Sequence, residues 1–98
     1  MNIKNTNVKT VDIKTLKKLK YFIYQGGTLE EIDISNNPEL ETVKVFDSNV
    51  KVLDVSSNPK LKRIEVDEGT EIIGETNAEI KYWTKEEIER VKEKWKDN

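Results

Sequence analysis

The sequence predicts an α/β solenoid, with short parallel strands stacked coil upon coil and one helix at the C-terminal end. Three observations predict it. Residues 29–45, LEEIDISNNPELETVKV, return as residues 50–66, VKVLDVSSNPKLKRIEV, and the offset is 21 at every matched position. Inside each copy, aliphatic and polar residues alternate at strand spacing. After Trp83 the spacing changes to that of a helix.

The repeat defines the coils. Leu29 matches Val50, Ile32 matches Leu53, Ile34 matches Val55, Asn37 matches Asn58, and Pro38 matches Pro59. Leu40, Val43 and Val45 then match Leu61, Ile64 and Val66. The pattern L-x-x-L-x-L-x-x-N-x-x-L-x-x-L-x-L holds two strands per coil. One coil earlier, Val8, Val11 and Ile13 take the first strand, and Leu19, Phe22 and Tyr24 take the second. Met1 and Ile3 stand where Phe22 and Tyr24 recur. Past Val66 the fit continues with a connection two residues shorter. Ile72 then matches Leu53, Asn77 matches Asn58, Ile80 matches Leu61 and Trp83 matches Ile64. The whole makes about four coils in one domain, residues 1–98, with the solenoid over 1–83. The connections QGGT, FDSN and DEG carry residues that tolerate tight turns.

Residues 84–97, TKEEIERVKEKWKD, predict a capping helix. Thr84 and Glu87 form a capping box, and Trp83 and Ile88 stand at the positions of a hydrophobic staple. Ile88, Val91 and Trp95 make one narrow apolar stripe, expected to lie across the last coil and shield its core.

Apolar residues are 35% of the chain and charged residues 37%. That core is thin for a globule but sufficient for coils that each bury a narrow stripe. The chain contains neither cysteine nor histidine. Disulfides and thiolate metal sites are therefore excluded, along with the commonest general base and zinc ligand. MNIKNTNVKT carries no apolar run and no stretch approaches transmembrane length, so the expected location is cytoplasmic. Charge is graded: residues 1–28 hold six lysines against Asp12, whereas residues 29–83 hold six basic and thirteen acidic residues. Stacked coils turn that gradient into one along the solenoid axis.

The repeat also fixes three outward rows. The first is Thr10, Glu31, Val52, Glu71; the second is Asp12, Asp33, Asp54, Ile73; the third is Lys14, Ser35, Ser56, Glu75. Stacked carboxylates repel, which is expected to raise the pKa values of Asp12, Asp33 and Asp54. The candidate partner-binding residues are Glu31, Asp33, Ser35, Val52, Asp54, Ser56, Glu71, Ile73 and Glu75, an acidic face around an apolar pair. The asparagine column Asn37, Asn58 and Asn77 is expected to satisfy the backbone of neighbouring turns, with Leu16 in its place in the first coil. The lysines of KTLKKLK (14–20) read as a solvated terminal coil. They lack the arginines and aromatics of a nucleic-acid surface, so no nucleic acid is expected as partner.

These motifs resemble the leucine-rich repeat proteins. The 21-residue period with D-[IV]-S-x-N-P is similar to the short bacterial class of internalin-like surface proteins. The resemblance covers essentially the whole chain. It implies a curved solenoid with parallel strands on its concave face and a role in binding other macromolecules. The expected function is therefore a non-enzymatic protein-interaction module, an adaptor or an inhibitor that occludes a larger enzyme or complex. The acidic face calls for a basic protein partner; no cofactor, metal or membrane is expected. The alternative is a structural, self-associating segment of an exported bacterial surface protein. The uncovered strand Met1 to Ile3 offers an edge for a homodimer. The strand face is only about 300 Å² in projection, below the roughly 800 Å² of a standard interface, so a partner must also engage turns or an edge.

Overall fold

The computed structural model describes residues 1–96, with side chains through residue 94. The chain is a parallel-strand solenoid with one C-terminal helix. Its elements are β1 (Asn2–Lys4), β2 (Tyr21–Gln25), β3 (Thr42–Phe46), β4 (Val52–Asp54), β5 (Arg63–Asp67), β6 (Glu71–Ile73), β7 (Glu79–Trp83) and α1 (Lys85–Lys96). Sheet A has five strands in the order β1-β2-β3-β5-β7, and sheet B pairs β4 with β6. Sheet A follows chain order, so the charge gradient of the sequence does become an axial one. No helix among the described residues is long and apolar enough to cross a membrane.

From β1 through β5 the repeat register is the observed register of sheet A. Phe22 lies opposite Val43, Val43 opposite Ile64, and Tyr24 opposite Val45. These inward rungs are buried together with Leu29, Ile34, Leu40, Leu53 and Val55 in one core. The first three coils turn on two consecutive i→i+3 bonds. Asn37 N donates to Ile34 O and Leu40 N to Asn37 O; Asn58 and Leu61 repeat this one coil on. Pro38 and Pro59 stand second in the latter turn, where a fixed φ suits the geometry. After the strands of sheet A, Asn5, Gly26 and Asp47 adopt φ of 51°, 70° and 54°. They lie 21 residues apart and are residue types that tolerate this left-handed region.

The asparagine ladder forms for two of its three expected members. Asn37 Nδ2 donates to Ile13 O and Leu16 O at 2.9 Å each, and Asn58 Nδ2 donates to Ile34 O and Asn37 O at 2.9 Å each. Asn77 is exposed instead. The reason is a shortened turn. Residues 55–62 join β4 to β5, but only residues 74–78 join β6 to β7. Sheet B keeps the expected 19-residue step, Leu53 opposite Ile72, whereas sheet A steps by 16, Ile64 opposite Ile80. Gly74, at φ +104°, lets this tight turn pass the preceding coil, since a Cβ there would lie 2.8 Å from Ser56 N.

The three-residue difference corrects the expected match of Ile80 with Leu61 and of Trp83 with Ile64. Strand side chains alternate, so an odd shift reverses which face a residue occupies. Trp83 lies beside Asp67 and faces outward from sheet A, where it stacks on Phe46 with ring centroids 4.5 Å apart.

That reversal also redirects the helix. Thr84 caps it as expected: Glu87 N donates to Thr84 Oγ1 at 3.2 Å, and Thr84 N donates to Glu87 Oε1 at 3.0 Å. The helix then runs back along the solenoid, and Lys92 Nζ meets Asp47 Oδ2 at 3.0 Å, two strands away from its start. Ile88 is buried and Val91 half-buried. The expected cap across the last coil is not formed by the described residues: Ile80 and Tyr82, in line with buried Ile64 and Val66, remain 37% and 47% exposed. Residue 97 and the Trp95 side chain lie outside the described residues.

Candidate functional site

The candidate face is sheet B with its continuation into the first coils. All nine predicted residues are exposed. The register brings Val52 beside Glu71 and Asp54 beside Ile73, as the rows require. Val52 and Ile73 are each 44% exposed and sit diagonally across the β4–β6 pair. Strand pairing is narrower than expected, because residues 8–13 and 29–34 form no strand and sheet B begins only at β4. Between the first two coils on this side the backbone bond Glu30 N to Lys9 O at 2.9 Å is joined by side-chain bonds from Thr28 Oγ1 to Val8 O at 3.0 Å and from Asn37 Nδ2 to Ile13 O at 2.9 Å. The ladder forms where Asp54 meets Ile73, and is absent where Asp12, Asp33 and Asp54 stack on one another. Like charges directly opposite each other disfavour pairing. The missing ladder leaves an open groove between Thr10–Lys14 and Glu31–Asp33, lined also by Val11 and Ile32.

The aspartates have a local task. Asp33 Oδ1 accepts from Ser35 N at 2.9 Å and from Ser35 Oγ at 2.6 Å; Asp54 Oδ1 accepts from Ser56 N and Oγ at the same distances. Asp12 Oδ1 accepts from Lys14 N at 3.0 Å. Each bond opens the turn that follows, an Asx-type arrangement. The expected rise in pKa is not found. The Ser35 hydroxyl and amide hold Asp33 below the ordinary carboxylate value, and Ser56 does the same for Asp54, outweighing the neighbouring Asp33 charge. Both side chains are therefore anionic at neutral pH, each with one oxygen committed to its turn.

A second polar cluster lies on the outer face of sheet A and escaped the reading of the sequence. Glu65 is 5% exposed, yet carries a charge. It accepts from Trp83 Nε1 at 2.8 Å and from Arg63 Nε at 2.8 Å, with Lys44 Nζ at 3.5 Å. Burial pushes its pKa up, but Arg63, Trp83 and Lys44 together hold it below the ordinary value. Lys81 lies 4.3 Å from the Trp83 ring centre and pairs with Glu87 at 3.0 Å, tying strand to helix. Part of the signal was present in the repeat: charges alternate in sign at Lys44–Glu65 and Glu41–Lys62, and Glu39 pairs with Lys60 across coils. The position of Trp83 could not be found this way, because it depends on the length of the last turn.

Among the described residues, no group of three or more acidic side chains converges so as to hold a metal ion. In comparisons with protein-family models, curated proteins and solved structures, the chain matches none.

Proposed function

We propose that the chain is a non-enzymatic protein-binding module of leucine-rich repeat type, about four coils long. It acts as an adaptor or as an inhibitor that occludes a larger enzyme or complex. Its contact face comprises Glu31, Asp33, Ser35, Val52, Asp54, Ser56, Glu71, Ile73 and Glu75, and its partner is a basic protein. One observation carries this reading: Val52 and Ile73 form an exposed apolar pair inside a rim of carboxylates that the turns hold ionised. An apolar centre with a charged rim is the usual anatomy of a protein contact. Fixed charges add specificity and encounter rate more than affinity. Because the face is small, the partner also reaches the adjoining turns.

The test is affinity capture with the wild-type chain and with a Val52→Lys, Ile73→Lys double variant, at two salt concentrations. The expected result is a basic protein retained by the wild type at low salt, lost by the variant and weakened at high salt. Equal capture by both chains would refute the assignment of this face.

A further inference from the structure

The two ends of the solenoid are unlike each other and complementary. At one end, β7 and β6 are the last strands of their sheets. The core stripe opens there: Ile80 and Tyr82 are exposed and Ile72 is only half-buried. The charge around it is negative, since residues 68–83 hold Glu68, Glu71, Glu75 and Glu79 against Lys81. At the other end, β1 is the first strand of sheet A, Met1, Val8 and Leu16 are exposed, and six lysines surround them against Asp12.

We infer that the acidic end binds the basic end of a second copy of this chain, head to tail, so that the second copy's first coil continues the stack. This surface shares the rim residues Glu71 and Glu75 with the Val52–Ile73 face, but its apolar centre, Ile80 and Tyr82, lies outside that face. The argument is geometric. Every neighbouring coil in the molecule is parallel to the last, and only a head-to-tail contact preserves that polarity. Continuing the observed rows sets Ile3 of the second copy beside Tyr82, and Met1 of the second copy beside Ile80. The row Lys14–Ser35–Ser56–Glu75 continues with Lys14 of the second copy beside Glu75. This matches the alternation of charge that already joins coils within the chain, as in Glu39–Lys60 at 2.6 Å and Glu41–Lys62 at 3.3 Å. A contact between two basic ends, by contrast, sets lysines against lysines. Because the contact is heterologous it leaves a free end on each side, and the product is an open series of oligomers.

Sedimentation of the 98-residue chain, from about 10 μM to 1 mM at low salt, tests this over the range of weak to moderate association. The expected result is a mean mass that climbs with concentration without levelling at a dimer, and that falls when salt is raised. Two exposed-site variants separate the ends. Leu16→Glu places an acid at the basic end, and Tyr82→Lys places a base at the acidic end. Each alone is expected to stay monomeric, with an unchanged circular dichroism spectrum. An equimolar mixture offers one intact end from each and forms a heterodimer that grows no further. As an independent check, Lys14→Glu or Glu75→Lys alone weakens association by about tenfold or more, and the two together restore it. The inference fails if the wild type is monomeric throughout. It also fails if the mixture yields no dimer, or if either blocked variant still self-associates.

Discussion

The asparagine ladder predicts a position-specific loss of stability. In Asn58→Ala, the carbonyls of Ile34 and Asn37 lose a donor held at 2.9 Å inside the solenoid, at a site 3% exposed. Each carbonyl keeps its turn bond, from Asn37 N and Leu40 N respectively, so the loss is two hydrogen bonds at about 0.5–1.5 kcal/mol each, about 1–3 kcal/mol together. The substitution also deletes Asn58 Oδ1, which is buried with no hydrogen-bond partner among the described residues, and this relieves about 1 kcal/mol. The net loss centres near about 1 kcal/mol, a measurable part of the roughly 5–15 kcal/mol that holds a domain together. Urea unfolding followed by tryptophan fluorescence measures it. With a slope of about 2 kcal/mol/M, the midpoint falls by about 0.5 M. Asn77→Ala is the control: same residue type, same place in the repeat, but exposed, with an expected change within about 0.5 kcal/mol. A loss below about 0.5 kcal/mol at Asn58, or an equal loss at Asn77, would refute the reasoning.

Three further outcomes follow from the geometry. Gly74→Ala is expected to destabilise more than Gly69→Ala by thermal melting. Both residues have positive φ, but only the Gly74 Cβ would strike the Ser56 backbone, whereas nothing lies within 4 Å at Gly69. Glu65 has a folded-state pKa below its ordinary 4.5, so its contribution is present above that value and lost as pH falls through the lower one. Melting temperatures of wild type and Glu65→Gln, measured across the acid range, should therefore converge as pH falls below about 4. Phe46→Ala removes a 3% exposed ring from under Trp83 and is expected to cost about 3–5 kcal/mol, with limited proteolysis cutting first within the helix.

Much of this structure was legible because repetition averages over local ambiguity. A single Leu-x-x-Leu-x-Leu says little. Two copies at one offset predict the sheet A register through β5, the core rungs and the outward rows, and Phe22, Val43 and Ile64 lie accordingly. The capping box of Thr84 and Glu87 was equally plain, since it depends on four consecutive residues. Reading failed where a property depends on the length of one irregular turn. Asn77, Ile80 and Trp83 were placed by extending the period, and the turn at 74–78 broke it. It failed again for Asp33 and Asp54. The repulsion between rows is plain in the sequence, but the serine two residues on, which outweighs it, reads there as part of the motif and of the contact face, not as a donor to the aspartate.

The 16-residue step of the last coil has a consequence for how such chains tolerate insertion and deletion. Adding or removing an even number of residues ahead of a strand slides it without exchanging its wet and dry sides; an odd number inverts it. Here the inversion turns an aromatic ring out of the stack and gives the chain a foothold for a helix. The last coil thus serves two purposes at once: its outer side seats the helix, while Ile80 and Tyr82 keep its end open to a further coil.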